Sequence, residues 1–234
     1  RETTIRAPGP LLASGRDSEI FDCGPGLVLR RARSGRSLAN EARIMRYVAG
    51  HGYPVPCVEA ISADGSELVM ERIDGPTMVA VLARRPWLLR RNAAVLAVLH
   101  QRLQAIPAPE WLDARVGGGD SIIHLDLHPL NVIVSSHGPV LVDWTNSARG
   151  AGPTDVALTW LLMTAAEIPG GPVQTAMGRV LRGMFVRAFL DHFDIGIVRR
   201  ALPAVGEWKC GDRNMRPAEV AAMRRLITRQ TDRR

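Results

Sequence analysis

The sequence predicts an α+β protein with a small, antiparallel β-rich N-terminal lobe and a larger, mainly helical C-terminal lobe. Short apolar segments separated by Gly- and Pro-containing turns fill residues 1–75, whereas apolar residues recur at helical spacing over most of residues 76–234. The tripeptide Asp74-Gly75-Pro76 marks the boundary, because Gly and Pro interrupt regular structure. We therefore expect one domain at 1–75 and a second at 76–234.

The first predicted strands form a β-meander. Apolar segments at Leu11–Ala13, Ile20–Asp22 and Leu27–Arg30 are long enough for short strands. The turn residues between them lie at Gly15–Ser18 and at Gly24-Pro25-Gly26. Because these connections are short, consecutive strands are expected to pair antiparallel.

One helix follows the meander. Ser37 is the predicted N-cap, since a serine side chain can accept a hydrogen bond from the first free backbone N–H groups. Gly50 ends the helix. The predicted apolar face carries Leu38, Met45 and Val48.

Two further strands complete the predicted N-terminal lobe. Pro54 and Pro56 keep the chain extended after the helix. Strands at Val58–Ser62 and Glu67–Glu71 then flank Ala63-Asp64-Gly65, a tripeptide typical of a β-hairpin turn.

Helical periodicity dominates the second part of the chain. Apolar residues spaced by three, four and seven predict a long buried helix from Trp87 to Ile106. Its apolar face would carry Leu88, Val95, Leu99, Leu103 and Ile106. Short strands are predicted at Ile122–His124, Val132–Val134 and Val140–Val142, and helices at Thr154–Ala166, Val173–Phe193 and Pro217–Thr228.

Composition excludes several classes of protein. With 46% hydrophobic and 23% charged residues, the chain is neither disordered nor collagen-like. The net charge of +7 falls entirely in residues 76–234, which hold 20 basic and 13 acidic residues. A basic balance accommodates a nucleic acid, an anionic membrane or a phosphate-bearing ligand, or is only a solvated surface. Few aromatic residues interleave with the arginine pairs, so a nucleic acid is not the expected partner.

The three cysteines, Cys23, Cys57 and Cys210, are odd in number and far apart. This pattern indicates neither a disulfide framework nor a zinc site. The longest uncharged apolar run, Val156–Ala166, is shorter than the roughly 20 residues that span a bilayer. We therefore expect a cytoplasmic protein with no membrane partner.

The segment His124-Leu125-Asp126-Leu127-His128-Pro129-Leu130-Asn131 carries the strongest chemical signal. Asp126 and Asn131 lie in one predicted loop, and Asp143 ends the next hairpin. Carboxylate and amide oxygens are the ligands that Mg²⁺ prefers, and a further carboxylate can orient an attacking hydroxyl. The pattern therefore favours phosphoryl transfer.

This segment, together with Asp143-Trp144, resembles the catalytic-loop and metal-binding motifs of the aminoglycoside phosphotransferase and choline-kinase-like branch of the protein-kinase-like fold. The segments Met70-Glu71-Arg72 and Gly152–Ala157 occur in the expected order. The resemblance implies a two-lobed kinase fold, with a nucleotide-binding N-terminal lobe, and an enzyme that moves the γ-phosphoryl group of ATP or GTP to a hydroxyl of a small molecule.

The resemblance also implies roles for individual residues of the second lobe. Asp126 would be the catalytic base and His124 a brace for its loop. Asn131 and Asp143 would bind Mg²⁺. Leu125 stands where such enzymes commonly have glycine, and we interpret it as a tolerated apolar variation. We interpret His128 as a loop brace, Trp144 as core packing and Asp155 as a loop anchor.

The nucleotide would be bound by residues of the first lobe. Glu41 would pair with the cation of the third strand, which is usually lysine but here is Arg30, with Arg31 as the alternative if the strand is shifted by one residue. An arginine remains charged and can bind two phosphate oxygens. Gly15 and Ser18, in the loop Ser14–Glu19, would cover the phosphates, although this loop has only one glycine. Backbone groups of Glu71–Ile73, principally Glu71 and Ile73, would meet the base.

The sequence does not identify the acceptor of the phosphoryl group. Aminoglycosides are polycations and favour carboxylates, whereas the second lobe is basic, so a macrolide or another small metabolite is an alternative. Acidic residues that could form a local pocket are Glu167, Asp191, Asp194, Glu207 and Asp212. Arg30 and the glycine-poor loop also allow a nucleotide-binding pseudokinase that acts as an interaction module.

Overall fold

The computed structural model describes residues 8–15, 18–33, 35–167, 171–213 and 215–232. The chain divides into two compact units. The first contains the residues up to Pro76 together with Ile133–Thr145, and the second contains Thr77–Val132 and the residues from Asn146 onward. The predicted α+β class is confirmed, because the sheet lies in the first unit and the long helices lie in the second.

The first unit is built on a five-stranded sheet in the order β1-β2-β3-β5-β4. The strands are β1 (Leu11–Ser14), β2 (Ser18–Asp22), β3 (Leu27–Ala32), β4 (Val58–Ile61) and β5 (Glu67–Glu71). All neighbouring strands are antiparallel, as the meander and the hairpin predict. Strand β3 is central, so its residues Val28, Leu29 and Arg30 are buried.

The helix of this unit, α1 (Ala39–Gly50), buries the predicted face formed by Leu38, Met45 and Val48. The predicted N-cap is wrong by one residue: Leu38 caps the helix without a side-chain hydrogen bond. The physical reason is the backbone N–H of Leu38, which donates to the carbonyl of Gly65 at 2.7 Å and so fixes the helix start on the β4–β5 turn. Ser37 Oγ accepts from the N–H of Ala39 instead.

A second hairpin belongs to the first unit. Strands β7 (Val132–Ser135) and β8 (Gly138–Leu141) pair with each other. The N–H of Leu141 donates to the Pro54 carbonyl at 3.0 Å. Trp144 is 1% exposed, its indole N–H donates to the Leu141 carbonyl, and its ring meets Tyr53 edge-on. The predicted packing role of Trp144 is therefore observed.

The second unit is helical. Its helices are α2 (Met78–Arg84), α3 (Leu89–Gln104), α4 (Gly152–Ala165), α5 (Pro172–Leu190), α6 (Ile195–Cys210) and α7 (Pro217–Thr231). Two short strands, β6 (Ser121–Ile123) and β9 (Ala148–Gly150), pair antiparallel. Helix α4 contacts α3, α5, α6 and α7 and is buried along most of its length.

The structure differs from the predicted helices at identifiable places. Helix α3 begins at Leu89, after a 3-10 turn at Pro86–Leu88. Of the predicted apolar face, Leu88 and Val95 are only half-buried. Helices α2 and α6 and strand β9 were not predicted. Helix α2 has only 7 residues, and α6 contains Pro203, which usually interrupts a helix. Within the described residues, no helix is long and apolar enough to cross a membrane.

Candidate active site

The loop between β6 and β7 holds the predicted catalytic carboxylate of Asp126. Asn131 Nδ2 donates to Asp126 Oδ2 and to the Asp126 carbonyl, both at 2.9 Å. His128 Nε2 lies 3.2 Å from Asp126 Oδ1, and His128 Nδ1 accepts from the N–H of Leu130 at 3.3 Å. Because Nδ1 accepts, Nε2 is the ring nitrogen that carries the proton and donates to Asp126. Both carboxylate oxygens of Asp126 are therefore oriented, and His128 is the brace that its sequence position predicts.

Helix α4 holds the start of this loop through a buried carboxylate. Asp155 Oδ1 accepts the backbone N–H of Leu125 at 2.8 Å, and Oδ2 accepts the N–H of His124 at 3.0 Å. Burial raises the pKa of Asp155 to about 6, against the opposing effect of these two hydrogen bonds. The predicted loop anchor is thus present, while His124 contributes its backbone N–H and a fully buried ring.

A second contact from α4 fixes the middle of the loop. Thr159 Oγ1 donates to the Leu127 carbonyl at 2.6 Å and lies 3.2 Å from His100 Nε2. His100 is fully buried on α3, and burial lowers its pKa to about 3, so the ring is neutral at physiological pH. Its contact with Asp155, 3.6 Å between Nδ1 and Oδ2, is therefore not an ion pair. Sequence reasoning missed both residues; the signal was the spacing of Asp155 and Thr159, which puts two polar side chains on one face of an apolar helix.

Leu125 has a left-handed backbone conformation, with φ of 58°. This region suits glycine and is unfavourable for a side chain that carries Cβ. The Leu125 side chain is nevertheless fully buried. The backbone at position 125 thus has a conformation that favours glycine, while the apolar side chain of Leu125 packs in the core. The leucine therefore has two opposing effects on stability: an unfavourable backbone conformation and a favourable buried side chain.

Arg30 is the buried cation of the first unit. Its side chain is 7% exposed, Nη1 donates to Glu41 Oε1 at 2.5 Å, and Nη2 donates to Asp143 Oδ1 at 3.0 Å. The alternative register is excluded, because Arg31 pairs with Glu67 and lies over the Phe21 ring. Burial raises the pKa of Glu41, and the Arg30 charge opposes this shift. The structure therefore brings together Arg30 and Glu41, as predicted.

Asp143 follows β8 in a left-handed conformation, with φ of 65° and a side chain that is 43% exposed. Thr145, which sequence reasoning missed, accepts from Arg30 Nη2 at 3.0 Å and donates to Glu41 Oε2 at 3.2 Å. The signal that could have indicated a further acceptor near Arg30 was the arginine itself, because a guanidinium has more N–H donors to satisfy than a lysine ammonium.

Each of the two units offers a side-chain oxygen of a type that suits a hard divalent cation. Asn131 uses its Nδ2 for both hydrogen bonds to Asp126, so Oδ1 is the atom that could bind a cation. Asp143 supplies a half-exposed carboxylate. Amide and carboxylate oxygens are suitable ligands for Mg²⁺. Among the described residues, no group of three His, Cys, Asp or Glu side chains is placed to bind a metal.

The predicted nucleotide-covering loop is described only in part. Gly15 donates its N–H to the Ser18 carbonyl at 2.9 Å, which closes the β1–β2 turn, while positions 16 and 17 lie outside the described residues. At the predicted hinge, the N–H of Glu71 donates to the Cys57 carbonyl at 2.8 Å. This amide is used within the sheet, so the Glu71 carbonyl and the Ile73 N–H are the groups to consider for a base.

Five acidic residues were suggested for an acceptor pocket. Three of their side chains form hydrogen bonds or ion pairs with other described residues. Asp194 caps α6 by accepting two backbone N–H groups. Asp212 pairs with the only lysine, Lys209, and Glu167 pairs with Arg216. These three carboxylates are already engaged within the second unit.

Comparison with known proteins gives a family match and a fold. A family model described as "Phosphotransferase enzyme family" matches residues 10–121, a stretch that ends just before His124. No curated protein gives a significant match.

Several solved structures share the fold. An aminoglycoside-3'-phosphotransferase of type VIII has a TM-score of 0.58 and 20% identity, and the alignment covers 93% of this chain and 90% of that one. A thermostable mutant of APH(4)-Ia in ternary complex with AMP-PNP and hygromycin B has a TM-score of 0.63 and 14% identity, with coverages of 96% and 94%. The amicoumacin kinase hAmiN, in complex with AMP-PNP, Ca²⁺ and Ami, has a TM-score of 0.51 and 15% identity, with coverages of 95% and 87%.

At these identities the structural likeness establishes the fold, and the family model adds a match in sequence. The match over residues 10–121 and the shared fold together confirm the predicted resemblance to the aminoglycoside phosphotransferase family, and the family model supports a phosphotransferase enzyme.

Proposed function

We propose that this protein transfers the γ-phosphoryl group of ATP or GTP to a hydroxyl of a small molecule. The observation that supports this proposal most directly is the orientation of Asp126 by Asn131 and His128, on a loop held by the buried Asp155. A loop aspartate with no chemical role would not need these three contacts. A carboxylate that accepts a proton from a substrate must be held in a fixed orientation, and the three contacts provide it.

The chemistry of the loop follows from the lone pairs of Asp126. A carboxylate has about four acceptor sites, and Asn131 and His128 use two of them, so the remaining sites can accept the hydroxyl of the substrate. The hydroxyl oxygen then bonds to the γ-phosphorus, the bond from that phosphorus to the β–γ bridging oxygen breaks, and the hydroxyl proton passes to Asp126. ADP or GDP leaves.

In this proposal the nucleotide is bound by residues of the first unit. The guanidinium of Arg30, already fixed by Glu41, is a forked donor for phosphate oxygens. Asn131 and Asp143 would hold Mg²⁺, which neutralises phosphate charge when it is bound. Gly15 and Ser18 would lie over the phosphates, and Glu71 and Ile73 would meet the base through backbone groups. AMP-PNP in two of the structural neighbours named above, and Ca²⁺ in one of them, support a nucleotide and a divalent metal.

The acceptor class is the finer part of the proposal. One structural neighbour binds hygromycin B and another is an amicoumacin kinase, which supports an antibiotic-like acceptor, with aminoglycosides included in that class. The engagement of Asp194, Asp212 and Glu167 within the fold favours a neutral or weakly charged acceptor, such as a macrolide or another hydroxylated metabolite, over a polycation. No nucleic acid or membrane partner is needed for this reaction.

The test is ADP or GDP release with Mg²⁺ and each nucleotide, measured over aminoglycosides, macrolides and amino alcohols. Asp126→Asn should remove acceptor-dependent release by a factor of about 10² or more, because the general base is lost. Asp120→Asn is the matched control, since Asp120 is exposed and lies only six positions earlier. Equal activity of the two variants would refute the role of Asp126.

A pseudokinase is the second candidate, favoured by one observation: the usual lysine is replaced by Arg30, which is already bound to Glu41 and Asp143. This alternative predicts a Mg²⁺-dependent rise in melting temperature with nucleotide, but no release with any acceptor. Release that Asp126→Asn abolishes would exclude it.

We also infer a reducing, cytoplasmic location. The support is the state of the cysteines: Cys23, Cys57 and Cys210 are all free thiols.

A further inference from the structure

Thr145 closes a ring of hydrogen bonds with the two charged side chains of the first unit. Arg30 Nη2 donates to Thr145 Oγ1 at 3.0 Å, and Thr145 Oγ1 donates to Glu41 Oε2 at 3.2 Å. Arg30 Nη1 donates to the other oxygen of the same carboxylate, Glu41 Oε1. Each oxygen of Glu41 is therefore bound, one by the guanidinium directly and one by a hydroxyl that itself binds the guanidinium.

The backbone around Thr145 is fixed independently of this ring. Its carbonyl oxygen accepts a hydrogen bond from Arg36 Nη2 at 3.0 Å. The preceding residue, Trp144, is buried and donates its indole N–H to the Leu141 carbonyl. The hydroxyl of Thr145 is thus presented to Arg30 from a position that two other contacts determine.

The chemistry of the guanidinium explains why such a hydroxyl is needed. A lysine ammonium is a compact charge with three donors that rotate freely, whereas a guanidinium is a rigid plane with five N–H groups. Two carboxylates, Glu41 and Asp143, already bind Arg30. A third carboxylate would give the site excess negative charge, which would repel phosphate. A neutral hydroxyl accepts a further N–H without adding charge.

We propose that Thr145 is a positioning residue for Arg30: its hydroxyl fixes the plane of the guanidinium, so that an arginine can bind nucleotide phosphate where a lysine would need no such support. The inference rests on the proposed nucleotide-dependent function and goes beyond it, because it assigns a role to a residue outside the recognised motifs. It also implies that Arg30 and Thr145 are energetically coupled, whereas a lysine at position 30 would not be coupled to Thr145.

The test is a double-mutant cycle of Thr145→Val and Arg30→Lys, read out as the dissociation constant of ATP or GTP with Mg²⁺ and without acceptor. Threonine and valine have nearly the same shape, so the change removes the hydroxyl alone. In the Arg30 protein, Thr145→Val should weaken nucleotide binding by about tenfold, the effect of a hydrogen bond to a charged group. In the Arg30→Lys background, the same change should alter binding by less than about twofold.

Two further variants separate positioning from general stability. Thr145→Ser keeps the hydroxyl and should restore binding to within about twofold of the original protein. Thr228→Val is the matched control, because Thr228 is exposed on α7 in the second unit. If acceptor turnover is found, Thr145→Val should raise the KM for nucleotide with little change in kcat, since Arg30 binds phosphate before and during the reaction. Thr145→Ala replaces Thr145→Val in the cycle if the valine variant does not fold.

The outcomes distinguish this inference from the proposed reaction. Equal weakening by Thr145→Val in both backgrounds, or no weakening in either, overturns the positioning role even if the protein is an active kinase. Coupled nucleotide binding without turnover of any acceptor supports the positioning role and refutes phosphoryl transfer to those acceptors. If the original protein does not bind nucleotide, both are refuted. If the effects of Thr145→Val and Arg30→Lys on the melting temperature of the nucleotide-free protein are also coupled, the hydrogen bonds among Arg30, Thr145 and Glu41 are supported independently of activity.

Discussion

The carboxylate of Asp155 accepts the backbone N–H of Leu125 at 2.8 Å, and Leu125 has a left-handed φ of 58°. The residue with the least favourable backbone in the candidate catalytic loop is therefore held by a charged group on a central helix. Strained positions persist when surrounding structure determines them. Here two hydrogen bonds to Asp155 of α4, from the backbone N–H groups of His124 and Leu125, contribute to keeping the loop in its shape just before Asp126.

The strain at Leu125 gives a prediction whose sign is unusual. At most buried positions glycine is less stable than alanine by about 0.5–1 kcal/mol, because glycine loses more backbone entropy. At Leu125 the glycine variant should be more stable than the alanine variant. The left-handed φ is unfavourable for alanine, which carries Cβ, but not for glycine. Both variants lose the buried side chain and should be destabilised by about 2–5 kcal/mol. Urea unfolding of the two variants measures the difference directly.

Leu127 provides the control for this comparison. It is also fully buried in the same loop, but it is not among the residues with positive φ. Leu127→Gly should therefore be less stable than Leu127→Ala. The same order at both positions would show that the backbone of Leu125 is not strained.

His100 should make folding stability fall at acidic pH. Burial lowers its pKa from 6.5 to about 3, so the unfolded chain binds a proton between these values while the folded protein does not. The stabilising contribution is thus complete above pH 6.5 and is lost progressively as the pH falls toward 3. The unfolding free energy of the original protein minus that of His100→Gln should rise by up to about 1.4 kcal/mol per pH unit from pH 4 to 6. A flat difference would mean that the folded protein protonates His100.

Asp155 should show the opposite slope. Burial raises its pKa from 3.8 to about 6, so the folded protein binds a proton more readily than the unfolded chain between these values. Its contribution to stability therefore decreases as the pH rises through this window. The difference between the original protein and Asp155→Asn should fall by up to about 1.4 kcal/mol per pH unit. Denaturation of both variants in the same buffers makes each the control for the other, because the two slopes differ in sign.

Magnesium dependence tests the predicted ligands separately from the chemistry. Asn131→Ala and Asp143→Asn should each raise the Mg²⁺ concentration needed for half-maximal nucleotide binding by about tenfold or more, since each removes or weakens an oxygen ligand. Nucleotide binding is the readout because Asn131 also orients Asp126, so turnover would mix the two effects. Asn40→Ala, at an exposed position on α1, should leave the Mg²⁺ titration unchanged. A shift of the same size in Asn40→Ala would refute the assignment.

Local patterns predicted those parts of the fold that local forces determine. The turn residues Ala63-Asp64-Gly65 correctly predicted the β4–β5 hairpin, and the spacing of apolar residues in α1 correctly predicted its buried face. The contact of Asp126 with Asn131 was also predictable, because the two residues lie five positions apart in one loop.

Other features depend on residues that are distant in sequence. The bond between Asp155 and Leu125 spans thirty positions, and the start of α1 is set by a carbonyl in the β4–β5 turn. Helix α6 contains Pro203, so packing against α4 and α7 must outweigh its low helix propensity. The role of Thr145 depends on how the chain folds after β8. The sequence indicated that Asp155 anchors a loop, but it did not identify these distant partners.

The guanidinium at position 30 also changes how the protein can be labelled. Amine-reactive probes have no lysine target in the first unit, because Lys209 is the only lysine in the chain. Lys209 lies at the end of α6 in the second unit, is 8% exposed and pairs with Asp212. Side-chain amine chemistry on the folded protein is therefore limited to one shielded, ion-paired position in the second unit, and it leaves the Arg30 site unmodified.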